Sequence, residues 1–210
     1  MRYNTISNEP FVRHRITPTY CYIDDLFSEE ELILIEEYCD KFEKIDGKID
    51  SDNINSLRKS KIHFFEKNEH SELIFLFNKL NNAIWNLNVQ YYNFDLNGYS
   101  YIQYTTYTGE ELGEYEYHID MHTGSYGITD DNMLKYGETR KLSLSLILSD
   151  SKSYEGGEFK MMISKIGENE IEQKRGRIIL FPSFFLHKVC PVTKGIRKSI
   201  VAWVEGPKFR

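Results

Sequence analysis

The chain has 210 residues, 40% of them hydrophobic, enough to bury a substantial core in one domain. Its formal net charge is -6 with no basic face to meet a nucleic-acid backbone, and no stretch approaches the roughly 20 apolar residues of a membrane span. Three widely spaced cysteines, Cys21, Cys39 and Cys190, and an N-terminal stretch without an apolar signal segment predict reduced thiols in a cytoplasmic protein.

Residues 1–27 read as an extended lead-in. Ser28 with Glu31 three residues later is a capping box that opens a helix, in which Leu32, Ile35, Cys39 and Phe42 recur at helical spacing. The polar stretch 46–61 reads as a loop, with its cluster Arg58-Lys59-Ser60-Lys61 as a solvated part of it. A second helix is predicted over 71–87, with Leu73, Phe77, Leu80, Ile84 and Leu87 as its core stripe.

After Asn88 the apolar period changes from 3.6 to 2. Eight strand-like runs follow, at 91–94, 99–107, 115–120, 141–148, 158–163, 177–181, 186–189 and 198–204, most punctuated by Gly, Asn, Asp or Pro. Two helices and then eight strands predict a mainly β (α+β) fold: a double-sheet jelly roll with both N-terminal helices packed on one sheet. It is expected as a single domain over 1–210, with 1–88 as a helical support region and 89–210 as the jelly-roll core. The polar, Gly-containing stretch 122–139 is expected to form a mobile lid. His122, at its start, reads as an exposed loop residue, its alternative being a donor to the metal ligands or a substrate contact. Asp130-Asp131 and 168–170 read as solvated acidic loops.

His118-x-Asp120 and His187 are the donor set of a two-histidine, one-carboxylate triad for non-haem Fe(II). On a strand His118 and Asp120 point the same way, and three protein ligands leave room for a co-substrate and O2. A lone histidine between apolar residues, as His187 is, usually belongs to the core; here it has candidate partners. Arg197 follows ten residues later, at the start of a hydrophobic strand whose alternation puts Arg197, Ser199, Val201 and Trp203 on one face. A guanidinium grips a carboxylate with two N–H groups, and the Ser199 hydroxyl adds a further donor. Triad and arginine together point to an oxygenase that consumes 2-oxoglutarate.

Further motifs fall in a consistent order: Tyr107-x-Gly109, Tyr115-Glu116-Tyr117 before His118, 140–145 (RKLSLS), 154–159 (YEGGEF), Phe181-Pro182-Ser183, 191–199 (PVTKGIRKS) and 203–207 (WVEGP). With these, residues 90–210 resemble the Fe(II)/2-oxoglutarate dioxygenases of the prolyl 4-hydroxylase-like group, and bacterial and phage-type members in particular. The resemblance implies a double-stranded β-helix, with His118, Asp120 and His187 as iron ligands. It implies that Arg197 binds the distal carboxylate of 2-oxoglutarate with help from Ser199. Tyr107 matches a tyrosine that borders the co-substrate, its alternative being a packed strand aromatic. Trp203 looks like a pocket wall, with core packing as its alternative.

The chain departs from the pattern at Ile147, where some relatives place a tyrosine on the distal carboxylate, and in the length of 110–117. The cofactors implied are Fe(II), 2-oxoglutarate and O2, with ascorbate as a reductant. The implied reaction hydroxylates an unactivated C–H bond with release of succinate and CO2, and the presence of Asp120 favours it over halogenation. The expected substrate is a peptidyl proline or another peptide side chain. The alternatives are a free amino acid or small metabolite, or a non-catalytic jelly-roll binding module.

Overall fold

The computed structural model of the chain describes residues 2–4, 13–15, 17–47, 58–121, 137–164 and 167–209. Short strands β1 (Arg2–Asn4), β2 (Arg13–Arg15) and β3 (Cys21–Ile23) precede α1 (Glu29–Cys39). The capping box forms: Glu31 N–H donates to Ser28 Oγ at 3.3 Å, and Ser28 N–H donates to the Glu31 carboxylate at 2.8 Å. Two orphan amides of the first turn are thereby satisfied, which sets where the helix begins. Next come β4 (Ile45–Asp46), β5 (Arg58–Lys59) and β6 (Lys61–Glu66). A 3₁₀ turn (Ser71–Leu73) runs into α2 (Ile74–Leu87) and then a π-helical turn (Asn88–Tyr92). The remaining strands are β7 (Tyr101–Thr108), β8 (Glu114–His118), β9 (Glu138–Ile147), β10 (Tyr154–Gly156), β11 (Phe159–Ser164), β12 (Gly167–Ile171), β13 (Ile178–Pro182), β14 (His187–Val189) and β15 (Val192–Pro207).

The larger sheet runs β3-β13-β9-β15-β7-β6-β4, with β10 joined to β15; the smaller runs β12-β11-β14-β8-β5. Strand alternation gives the larger sheet two different faces. Leu142, Leu144 and Leu146 of β9 and Ile200, Ala202 and Val204 of β15 pack with the helices. The whole predicted stripe of the second helix (Leu73, Phe77, Leu80, Ile84 and Leu87) is buried in that cluster, each side chain contributing roughly 1.5–3 kcal/mol. Ile147, Phe181 and Tyr107 lie in a second cluster with Phe159, Met161 and Val189 of the smaller sheet. The expected two-sheet, mainly β fold with helices on one sheet is therefore observed. No described helix is long and apolar enough to cross a membrane. The three cysteines are free thiols.

Four expectations need correction. The run 91–94 is no strand, because the chain makes one more, wider helical turn before Asn93 adopts a left-handed φ of 56°. Asn88 holds that turn with its side chain, donating to the Phe94 carbonyl and accepting from the Phe94 amide, both at 2.9 Å. The stretch 46–61 is not simply a loop: β5 pairs with β8 and β6 with β7, with Ile62 and Phe65 buried, while 48–57 lie outside the described residues. Strand β6 opens at the end of that stretch and runs on to Glu66, with an apolar face only two residues wide. Residues 168–170 belong to edge strand β12, where Glu168 is paired with Lys160 and Lys188. Asp120 stands beyond the end of β8 rather than on it. Of the expected lid, 122–136 lie outside the described residues, as do His122 and Asp130-Asp131, and Glu138 already opens β9.

Candidate metal centre

The ladder between β8 and β14 places His187 opposite His118 in register. Each ring is oriented by the backbone two residues before it: His118 Nδ1 lies 2.7 Å from the Glu116 carbonyl and His187 Nδ1 lies 2.9 Å from the Phe185 carbonyl. A carbonyl only accepts, so both Nδ1 atoms carry the proton and both Nε2 lone pairs are left for a metal. Those Nε2 atoms approach Asp120, His118 at 3.7 Å from Oδ1 and His187 at 3.4 Å from Oδ2. One ligand atom from each of the three residues fits within 4.8 Å of the others.

Asp120 is held from both ends. Its amide donates to the Ser183 carbonyl at 2.9 Å, and its Oδ2 accepts from Ser143 Oγ at 2.6 Å. Ser143 and Ser183 hydroxyls are in turn 2.9 Å apart. Burial pushes the Asp120 carboxyl up, but His187, His118 and Ser143 outweigh it and hold the group below its usual range. Burial, with His187 beside it, pulls the His118 imidazole down to about 3, so at neutral pH it is the neutral ligand form. Two imidazole nitrogens and one carboxylate, converging and largely buried, are a donor set suited to Fe(II).

Aromatic rings back the two histidines. Tyr115 stacks on His118 with centroids 3.5 Å apart, and the Arg58 guanidinium lies 4.6 Å above Tyr115. Phe181 meets His187 edge-on at 4.8 Å.

Arg197 is 1% exposed, and among the described residues no carboxylate pairs with it. Its Nη2 donates to Gln173 Oε1 at 2.8 Å, and its Nη1 makes a long, 3.4 Å bond to Ser199 Oγ. The guanidinium lies 5.5 Å from the Tyr107 ring centroid. Gly157, at φ 70°, leaves space for the arginine stem; a Cβ there would come within 3.0 Å of Arg197 Cδ. Burying a cation costs several kcal/mol unless an anion answers it. A buried arginine with only neutral acceptors therefore fits a ligand carboxylate.

His118, Asp120, His187, Tyr107, Arg197 and Ser199 all line one cavity, with Val201 and Trp203. Tyr104 points to the other side of the sheet, where its hydroxyl donates to Asp40 at 2.9 Å. The serines that hold Asp120, the Arg58–Tyr115 stack and Gln173 were not assigned roles from sequence. Ser143 and Ser145 carried a signal, as polar residues on alternate positions of a buried apolar run. Gln173 carried none, because its partner is 24 residues away.

A family model described as the 2OG-Fe(II) oxygenase superfamily matches residues 102–205. A PKHD-type hydroxylase of Synechococcus sp. (strain CC9311) is 39% identical over 97 residues, which is 46% of this chain and 38% of that protein. The chain thus spans well under half the length of that curated relative. A Pseudomonas putida prolyl-4-hydroxylase structure superposes with a TM-score of 0.68 at 17% identity, covering 90% of this chain and 94% of its own. A Trichoplax adhaerens prolyl hydroxylase, solved with a hypoxia inducible factor oxygen degradation domain peptide fragment, gives a TM-score of 0.68 at 19% identity, covering 89% and 83%. The likeness to these two structures is one of fold, the jelly roll.

Proposed function

From the premise that residues 102–205 form a domain of the 2OG-Fe(II) oxygenase superfamily, we propose that the chain is an Fe(II)- and 2-oxoglutarate-dependent hydroxylase. His118, Asp120 and His187 would hold the iron, and Arg197 with Ser199 the distal carboxylate of 2-oxoglutarate. When bound, iron and 2-oxoglutarate supply the activation of O2 and the hydroxylation of a C–H bond, the co-substrate leaving as succinate and CO2. The observation that carries this reading is Arg197, a buried cation without a described anion, lining the same cavity as a metal-competent triad.

The residues of the chain bind, orient and shield. The Glu116 and Phe185 carbonyls fix both imidazoles in the ligating tautomer, and Ser143 keeps the Asp120 carboxylate ionised and aimed. Tyr107 walls the co-substrate side of the cavity. The apolar rings of Phe159 and Phe181 keep water from the far side of His187.

For the substrate we favour a peptidyl proline or another peptide side chain. Support comes from the jelly-roll likeness to prolyl hydroxylases, one of them holding a peptide. The test incubates the protein with Fe(II), 2-oxoglutarate, ascorbate and O2 against a proline-containing peptide library and an amino-acid panel, read by mass spectrometry. A gain of one oxygen on a peptide, matched by succinate and lost in His187→Ala, is the expected result. A gain confined to free metabolites moves the substrate to the small-molecule class. Succinate formation that survives His187→Ala overturns the ligand assignment.

A further inference from the structure

Five arginines have described side chains, and they divide sharply. Arg175 pairs with Glu29 and Glu36, and Arg177 with Asp24 and Glu172. Among the described residues, Arg58, Arg140 and Arg197 pair with no carboxylate; Arg58 and Arg197 line the cavity, and Arg140 lies over Trp203 in its wall. The chain has 32 acidic residues against 26 basic ones, so anionic partners are plentiful elsewhere on it. Arg197 is accounted for by the co-substrate. The other two are surplus to it.

Arg58 faces Tyr115 across the β5–β8 ladder and lines the cavity, its guanidinium held 4.6 Å over the Tyr115 ring. Its Nε donates to Ser60 Oγ at 2.8 Å, a neutral partner. Arg140 lies 4.3 Å over Trp203, a cavity-lining ring, and its Nη2 donates to the Tyr101 hydroxyl at 3.2 Å. Tyr115 and Trp203 both line that cavity, so the two cations stack on its walls. Each is held over an aromatic wall by hydrogen bonds to neutral partners, and no described carboxylate pairs with it. Two such cations beside one opening focus a positive field and raise the local concentration of anions.

We propose that the molecule hydroxylated at this site carries a carboxylate close to the reacting carbon, and that Arg58 and Arg140 are the groups that grip it. The inference rests on the co-substrate reading of Arg197 and names the substrate class of the same site. The carboxylate is an acidic side chain of a peptide or the carboxylate of a free acid; the chemistry of recognition is the same, a charge-assisted, two-pronged bond.

The test uses the full chain loaded with Zn(II) and 2-oxoglutarate, so that no turnover occurs, and measures affinities by ligand-observed NMR. Acetyl-Pro-Glu-amide is compared with acetyl-Pro-Gln-amide for a peptide source, and N-acetyl-L-proline with N-acetyl-L-prolinamide for a free acid. In one pair the carboxylate probe should bind about 10-fold or more tightly than its amide. That preference should fall to about 2-fold or less in the Arg58→Gln/Arg140→Gln double variant and survive in part in Arg58→Lys/Arg140→Lys. Equal affinity within both pairs, or no measurable binding of either carboxylate probe, overturns the proposal on the unaltered protein alone. So does an undiminished preference in the Gln variant. The 2-oxoglutarate isotherm is recorded in the same samples, so failure of the co-substrate reading registers separately, as a missing isotherm.

Discussion

His187 stands directly opposite His118 in the β14–β8 ladder, and their ring centroids are 4.2 Å apart. Two residues 69 positions apart in sequence thus become one metal-binding edge through strand register alone. A slip of one residue would turn His187 to the other face of the sheet and empty the site of a donor. Both strands are short, so the register is pinned from outside, by β11 on β14 and by Ser183 accepting from the Asp120 and Met121 amides.

Removing one donor should uncouple metal binding from the fold. In His187→Ala, Fe(II) or Mn(II) should no longer raise the melting temperature under anaerobic conditions. For the unaltered protein, metal at about 100 times its dissociation constant should contribute about 2.7 kcal/mol. Equal metal-dependent stabilisation in the two proteins would remove His187 from the ligand set.

Ser143→Ala should weaken the metal site without unfolding the chain. The 2.6 Å bond to Asp120 both lowers the carboxyl pKa and aims the oxygen. Losing it should cost roughly 10- to 100-fold in metal affinity, measured by competition with a chromophoric chelator. On acidification the variant's affinity should also begin to fall at a higher pH than that of the unaltered protein, because Asp120 loses the bond that favours its ionised form.

Metal-free protein should lose stability as pH falls below His118's ordinary value of 6.5. Burial and His187 hold the folded-state value at about 3. Between these values the unfolded chain takes up a proton at His118 that the folded chain refuses, so acidification favours unfolding in that window. The slope is at most about 1.4 kcal/mol per pH unit from this group. Urea unfolding of the unaltered protein and of His118→Gln over the window should show a shallower slope in the variant; identical slopes would remove His118 as the source.

Gln173→Glu should damage co-substrate binding more than Gln173→Ala. Gln173 Oε1 accepts from Arg197 while its Nε2 donates to the Ile171 carbonyl at 2.9 Å, which fixes the amide and leaves the arginine charge free. A carboxylate in its place would satisfy Arg197 internally. Calorimetry with 2-oxoglutarate should show a loss of about 10-fold or more for the Glu variant and a smaller one for Ala. Equal affinities would mean that Arg197 does not meet the co-substrate.

Most of this site was legible because its chemistry repeats along strands. Arg197, Ser199, Val201 and Trp203 follow the period of two, and the structure lines the cavity with all four. The Ser28–Glu31 capping box and the stripe from Leu73 to Leu87 were equally readable, since both depend on local spacing. What escaped is what depends on long-range contacts. Strand β6 exists because β7 pairs with it, and Gln173 matters because β15 brings Arg197 to it. The turn at 88–92 was misread because Tyr91 and Tyr92 favour strands intrinsically. There the Asn88 side chain, bonded to Phe94, prolongs the helix instead.

The most direct test of iron and 2-oxoglutarate sharing this cavity is an anaerobic titration of the metal-free protein with Fe(II) and 2-oxoglutarate, followed by visible absorbance, with Arg197→Ala alongside. A metal-to-ligand charge-transfer band in the unaltered protein is the expected result. In the variant, at the same 2-oxoglutarate concentration, the band should be lost while iron stays bound. Iron bound with no band in the unaltered protein, or a band of equal strength in Arg197→Ala, would contradict it.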